Sequence, residues 1–414
     1  MNPNLLTRRR MLTLCATGAA ASVALPGYGT TAAPRIPPEL TDQCRAASKL
    51  LAGYMTELAA GARRQVGKGP TLLMPCVTSA YSGVWPDDSL YPLIALPSLA
   101  RTDELAGVLS FLTESMLDLQ YVPDRVEPDG LPILSPGHSN MPPMTDCMPL
   151  HLPAAWVRLL DYYQHFGVKI PRKDEWAQLI ARSIDRVPFA NGLAYADPQH
   201  PPIGFGFQDS IKISGWELMS SLALYRGLQR ATVLFAGVIE PSTLHRWARL
   251  AKGIRANLHR LFDPKIGGYC GGSRQGHQFS VWGNGLIYPL CGDAEKQSIV
   301  RFYRDNREKI FLRGCTRQIA EPGWQGNANA GQYQNGGFWA TGTGYVLPAL
   351  VEQDPALAME LLGDLTAHLS KSDFAEWLDG AGQPNGAMKF LGSVALPLMG
   401  LNSILQNKPL IDYF

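Results

Sequence analysis

Carboxylates, amides, glycines and flat aromatic rings recur together at six places in the chain, each ahead of a strongly apolar stretch. In order they are Tyr81-Ser82-Gly83-Val84-Trp85-Pro86-Asp87-Asp88; Pro136-Gly137-His138-Ser139-Asn140 leading to Asp146; Gly204 to Ser210, with Gln208 and Asp209; His277 to Asn284, with Trp282; Gly323-Trp324-Gln325-Gly326 through Tyr333-Gln334-Asn335-Gly336; and Phe374-Ala375-Glu376-Trp377-Leu378-Asp379-Gly380. Carboxyl groups move protons, amides donate and accept hydrogen bonds, and indole faces stack on apolar surfaces. Gathered in one concavity, these groups suit a sugar ring, whose axial C–H faces stack while its hydroxyls hydrogen-bond. Seven of the nine tryptophans lie in or beside these stretches: Trp85, Trp156, Trp216, Trp282, Trp324, Trp339 and Trp377. Any one of them alone reads equally as core packing, and their position beside glycines and carboxylates is what points to a ligand. No basic residues interleave with them, which argues against nucleic acid. The partner implied is a carbohydrate.

The elements that must position these groups are helices. Apolar residues recur at helical spacing over most of the chain and strand-like alternation is scarce, so the class is all-α. Six segments are apolar nearly all round: Ser89–Ala100, His151–Phe166, Ser214–Gln229, Gly283–Leu290, Gly337–Val351 and Gly392–Gln406. Six others carry charges along one face: Thr41–Ala62, Thr102–Leu119, Lys173–Arg186, Ser242–Phe262, Ala294–Glu308 and Pro355–Leu369. A helix apolar on all sides must be enclosed, whereas an amphipathic one can face water. Their alternation predicts six helical hairpins, and units that bury their faces against neighbours form an array. Closing six into a ring removes exposed ends, so the expectation is a single (α/α)6 toroid domain within residues 34–414, with an open superhelix as the alternative. In the ring the six loops converge on one rim. Prolines in Tyr91-Pro92-Leu93, Tyr288-Pro289-Leu290 and Leu347-Pro348 should bend or end inner helices.

Composition agrees with a folded chain. Only 17% of residues are charged, 46% are hydrophobic, and the formal charge is +2, which excludes disorder, coiled coil and collagen. The first 33 residues hold Arg8, Arg9 and Arg10 and no acid, so the remainder has no basic surface for nucleic acid. That segment, with its weakly apolar stretch Leu12 to Leu25 and small residues Gly29 to Ala33, reads as a signal peptide of twin-arginine type, too short for a comfortable membrane span. The expectation is export to the periplasm or beyond, without stable membrane insertion. An uncleaved anchor is the alternative. Cys15 aside, six widely spaced cysteines leave disulfides and buried thiols equally open. No metal-ligating spacing, nucleotide loop or serine-hydrolase elbow occurs, so neither a metal nor a cofactor is expected.

Three stretches resemble the six-hairpin glycosidases, the broad group that includes glucoamylase-like, trehalase-like and mannosylglycerate-hydrolase-like enzymes. Trp85-Pro86-Asp87-Asp88-Ser89 resembles the aromatic-x-Asp-Ser opening of the first inner helix, which implies that Asp88 binds sugar hydroxyls, with Asp87 as its substitute. Tyr333-Gln334-Asn335-Gly336-Gly337-Phe338-Trp339 resembles the Tyr-x-Asn-Gly-Gly-x-Trp stretch of the fifth, and Glu376-Trp377-Leu378-Asp379-Gly380-Ala381-Gly382 the segment that supplies a catalytic base. In that group the acid lies before the third inner helix and the base before the sixth, which here are the loops of Asp209 and Glu376. An Arg-Gly-Pro-x-Trp segment typical of some members is missing, and no tryptophan adjoins Asp209, although Trp216 follows shortly.

What the resemblance implies is a glycoside hydrolase with Asp209 protonating the departing oxygen and Glu376 activating water. A carboxyl separation of ~6.5–9.5 Å would leave room for that water and invert the anomeric centre. Phe205, Phe207 and Trp216 are expected to desolvate Asp209. Trp85, Asp87, Asp88, Gln208, Trp216, His277, Trp282, Gln334, Asn335, Trp339 and Trp377 are the expected substrate contacts. The bland reading of Asp209 is a helix N-cap ahead of Ser210–Ser214, and that of Glu376 a solvated loop acid. Rival functions are a sugar epimerase or polysaccharide lyase using His138 or His277, an unsaturated-glucuronyl hydrolase, and a non-catalytic carbohydrate-binding envelope protein.

Overall fold

The computed structural model of the chain describes residues 36–67, 69–134, 148–199, 203–322 and 328–414. Its α-helices are, in chain order, α1 Pro38–Ala62, α2 Pro86–Ala95, α3 Thr102–Met116, α4 Leu152–His165, α5 Lys173–Asp185, α6 Leu218–Leu234, α7 Pro241–Asn257, α8 Val281–Ile287, α9 Asp293–Asp305, α10 Arg307–Ile310, α11 Ala340–Gln353, α12 Pro355–His368 and α13 Gly392–Leu405. Burial separates them into the two kinds that the sequence alternates. All seven residues of α8 are buried and α13 buries eleven of its fourteen, whereas α9 buries only Ile299, Val300 and Tyr303, and α7 only Trp247, Ala251 and Ile254. The spacing of those few puts them on one face, as an outer helix requires.

The enclosed helices α2, α4, α6, α8, α11 and α13 touch in that order, and α13 returns to α2, which closes the ring. Outer helices pack on them from outside: α1 on α13, α5 on α4, α7 on α6, α9 and α12 on α11. The architecture is the (α/α)6 toroid. Ile36–Phe414 is one compact unit. Between each outer helix and the next inner helix stands a short antiparallel β-hairpin, pairing Arg63–Gln65 with Thr71–Leu73, Arg125–Val126 with Pro132–Ile133, Phe189–Ala190 with Leu193–Ala196, Phe262–Asp263 with Gly268–Tyr269, Phe311–Leu312 with Cys315–Thr316, and Trp377–Leu378 with Pro384–Asn385. The repeated unit is therefore outer helix, hairpin, inner helix.

Backbone pairing also joins each unit to its neighbour at this rim. Val84 bridges to Val126, the amides of Leu150 and His151 donate to the carbonyls of Ile203 and Gly204, Glu217 bridges to Gly272, Ser280 to Ile319, Phe338 to Leu378, and Phe390 back to Cys76. Six junctions make a closed belt of main-chain hydrogen bonds just ahead of the six inner-helix N-termini. At mid-depth the helices come together over small residues. Gly344 of α11 meets the backbone of α13 at Leu396, and Gly400 of α13 meets Gly344 in return.

Several local expectations are corrected. Helix α2 starts at Pro86 rather than Ser89, because proline suits the first turn, and α6 starts at Leu218. Pro92 and Pro348 lie inside helices rather than ending them, while Pro289 sits in a 3-10 turn after α8. Asp209 caps no α-helix: it follows the 3-10 turn Gly206–Gln208, and the chain runs on into a short strand at Gly215. Cys44, Cys76, Cys270, Cys291 and Cys315 are free thiols. Among the described residues no helix is long and apolar enough to cross a membrane. The expected leader 1–33, Cys15, Cys147, the rim stretch with His138 and Asp146, and Trp324 and Gln325 lie outside the described residues.

The close approach of α11 and α13 gives a direct test. A methyl group at Gly344 would land on the Leu396 carbonyl, and overpacking of this kind costs about 1–3 kcal/mol. Gly344→Ala should lower Tm, whereas Gly53→Ala, where a Cβ meets nothing within 4 Å, should leave it unchanged or raise it; thermal denaturation of the two variants is the measurement.

Candidate active site

A cavity of about 320 Å³ lies at the rim, walled by residues from the first, second, third, fifth and sixth units. Its lining includes Tyr81, Trp85, Asp87, Asp88, Asp124, Arg125, Glu127, His151, Phe207, Asp209, Tyr333, Gln334, Glu376 and Phe390. Chain geometry explains the gathering: each inner helix starts at this rim, so the loop before it must end there. The helix N-terminus also favours acids in the first turn of α2, where Asp87 and Asp88 stand.

Glu376 is only 3% exposed, and the sixth hairpin fixes it. The Ala387 amide donates to Oε2 at 2.9 Å and the Glu376 amide donates to the Ala387 carbonyl at 2.8 Å. Gly386, at φ 73°, makes room, because a Cβ there would strike the Glu376 carboxylate. The other oxygen, Oε1, accepts from the Tyr81 hydroxyl at 2.6 Å and the Tyr333 hydroxyl at 3.3 Å. Asp209 is held from the fifth unit: Gln334 Nε2 donates to its Oδ1 at 2.6 Å, while Gln334 Oε1 accepts from the amide and hydroxyl of Ser210, both at 2.8 Å. One glutamine thus locks the Asp209 loop in place.

The remaining acids have divergent protonation. Asp87 is buried against Arg158, with His151 Nε2 3.5 Å from Oδ2. Burial pulls its pKa up, but the charges of Arg158 and His151 prevail and hold it at about 2. Asp88 is pushed well above the usual range, first by burial and then by the charges of Asp87, Glu376, Asp124 and Asp209, and its Oδ1 is a buried acceptor without a donor among the described residues. Asp124 accepts from Trp85 Nε1 at 3.1 Å and from Arg125 at 3.3 Å, yet burial still raises it to about 6. Arg125 lies over the Trp85 ring, 5.0 Å from its centroid, and the Tyr81 ring meets it at a steep angle with centroids 5.5 Å apart. A hollow in which one carboxyl is held toward ionisation and two are pressed toward the proton carries groups that can accept and donate protons.

The structure brings together Trp85, Asp87, Asp88, Asp209, Gln334 and Glu376 of the expected residues. Others lie outside the lining. Trp282 and Trp339 are buried outside the lining, and both rings meet that of Phe207, which does line the hollow, with centroids 6.2 and 6.3 Å apart. Their indole N–H groups are also spent, Trp282 on Thr316 Oγ1 and Trp339 on the Tyr333 carbonyl. Trp216 belongs to the third unit's sheet, opposite Tyr195 and beneath Arg260. His277 turns to Asp263, Nε2 to Oδ2 3.0 Å, at a separate hollow. Gln208 and Asn335 are buried outside the lining, with Asn335 donating to the Ala328 carbonyl, and Trp377 also lies outside it, its ring T-shaped to Tyr333 with centroids 6.2 Å apart.

Tyr81, Asp124, Arg125, His151 and Tyr333 are the site residues that sequence reasoning missed. Tyr81 and Tyr333 stood inside quoted motifs. Asp124 precedes the second hairpin and Arg125 opens it, with no marking pattern, and His151 stands at the start of an inner helix that reads as plain core. The His151 ring is occupied, Nδ1 by the Gly204 carbonyl at 3.1 Å and Nε2 by Asp87.

No protein-family model matches the chain, and no curated protein matches its sequence. Solved structures do match its fold. Mannosylglycerate hydrolase from Thermus thermophilus, solved with Tris, has a TM-score of 0.56 at 14% identity, over 84% of this chain and 99% of that one. Glucoamylase from Saccharomycopsis fibuligera has 0.57 at 13%, over 93% and 99%. A rhamnosidase from Klebsiella oxytoca, solved with rhamnose bound, has 0.50 at 16%, over 78% and 58%. The mannosylglycerate hydrolase and the glucoamylase are six-hairpin glycosidases, and the chain shares their (α/α)6 toroid.

The raised carboxyl of Asp88 fixes a pH dependence. Between the ordinary carboxylate value and its folded value, the folded chain keeps a proton that the unfolded chain releases, so this group's contribution to stability falls as pH rises through that window. Asp88→Asn removes the titration. Its Tm should exceed that of the unaltered chain near pH 7, and the gap should close toward pH 3, as followed by thermal denaturation across pH.

Proposed function

We propose that the protein is an exported glycoside hydrolase that cleaves a glycoside or oligosaccharide with inversion. The observation that carries this reading is the delivery of two carboxylates, Asp209 from the third unit and Glu376 from the sixth, into one hollow by separate clamps. Glu376, oriented by the Tyr81 and Tyr333 hydroxyls and the Ala387 amide, is the base that takes a proton from water as it attacks the anomeric carbon. Asp209 is the acid that protonates the departing oxygen. Two-carboxylate hydrolysis needs these roles and a gap wide enough for the water. Trp85 offers a stacking face, while Asp88, Asp124 and Gln334 offer hydroxyl partners. The fold shared with a mannosylglycerate hydrolase, a glucoamylase and a rhamnosidase supports a sugar substrate without choosing one. The twin-arginine-type leader supports export.

Imidazole chemistry has less support. His277 faces Asp263 outside the hollow, and both ring nitrogens of His151 are occupied. The test is a glycoside panel followed by proton NMR of the first anomer released. Asp209→Asn and Glu376→Gln should each cut kcat by about 10²–10⁴-fold, with binding of the sugar kept in Glu376→Gln. The released anomer should be opposite to that of the substrate. Release of the same anomer overturns the water-activation mechanism, and full activity in Glu376→Gln overturns the assignment of the base.

A further inference from the structure

A second cluster of reactive side chains lies on the fourth hairpin, in a hollow that shares no lining residue with the sugar cavity. Asp263 ends its first strand, Cys270 follows its second, and His277 stands on the return that pairs Cys270 with Phe279. One carboxylate oxygen, the buried Cys270 sulfur and one imidazole nitrogen all lie within 4.8 Å of one another. Among the described residues this is the one such grouping of three.

The geometry points to a binding site for a zinc-type divalent metal ion, held by Asp263, Cys270 and His277. Three ligands of mixed N, S and O chemistry match the set that such ions select, and Zn–S, Zn–N and Zn–O bonds of about 2.0–2.3 Å put tetrahedral ligands roughly 3.5 Å apart. Asp263 and His277 already stand at 3.0 Å, and the three ligand atoms lie within 4.8 Å of one another, close to that spacing. The Cys270 thiol gives its proton to solvent as the Cys270 sulfur–metal bond forms, and water takes the fourth position. Two cations line the same hollow, Arg260 and Lys265. Arg260 is drawn aside, donating to Asn257 Oδ1 at 2.9 Å and lying over the Trp216 ring. The carboxylate is held open at its other oxygen by the Lys265 amide, which donates to Oδ1 at 2.8 Å. An ion here ties the fourth hairpin to its own return, next to the Glu217–Gly272 bridge that joins the third and fourth units.

Zinc titration of the full chain by calorimetry, with Co²⁺ as a spectroscopic probe, tests the site. One Zn²⁺ per chain should bind with Kd below about 0.1 mM, and Co²⁺ should give a thiolate charge-transfer band that Cys270→Ser abolishes. His277→Ala alters a half-exposed side chain, so it keeps the proposal testable if Cys270→Ser fails to fold; it should weaken binding at least tenfold. Absence of saturable binding below that Kd, or unchanged affinity in His277→Ala, overturns the proposal.

Discussion

The closed belt of main-chain hydrogen bonds at the rim is the constraint on which the site depends. Each link joins the residues just before an inner helix to the hairpin of the next unit or to the stretch that follows that hairpin, and the last link, Phe390 to Cys76, returns to the first. Because the belt sits directly ahead of the helix N-termini, it fixes where six loops end before any side chain is considered. Two carboxylates far apart in the chain, Asp209 and Glu376, can then share a hollow although no hydrogen bond between them is required. A backbone link is well suited to this task, since an unpaired buried amide costs as much as the bond provides.

Gathering acids in a partly dry hollow is costly, and the fold offsets the cost unevenly. Asp87 is neutralised by Arg158, which is itself buried between the rings of Tyr91 and Phe414, 5.0 and 4.6 Å from its guanidinium carbon. Asp124 is only partly compensated by Arg125, and Asp88 has no cation of its own among the described residues. The consequence is a graded set of carboxyls, one firmly ionised and two pressed toward the protonated form. Such a spread places groups that hold a proton beside groups that have released one.

The helices were legible in the sequence because enclosure and amphipathicity leave different signatures in composition: α13 is apolar on every side, and α9 carries one narrow stripe. The stretches around Asp88, Gln334 and Glu376 were legible as motifs. The six hairpins were not, since strands of two to four residues are too short for alternation to register. Asp124 was hidden for a related reason: it enters the cavity from a hairpin rather than from the mouth of an inner helix, so no apolar run announces it. His277 was misplaced because a rim loop is long enough to fold its side chain back onto its own hairpin, and proximity in sequence to Trp282 says nothing about direction.

The tryptophans show how a reading can err about contact while pointing to the right part of the structure. Trp282 stacks on Tyr345 and meets Trp339 edge-on, and the two present their surfaces to Phe207 rather than to the hollow. Phe207 in turn forms part of the cavity wall two residues ahead of Asp209, with its carbonyl held by the Gln318 amide. Large rings at the inner-helix starts therefore act as a rigid bed under the loop that carries Asp209. Aromatic enrichment beside carboxylates is thus also a matter of support, because a loop resting on close-packed rings has few other places to go.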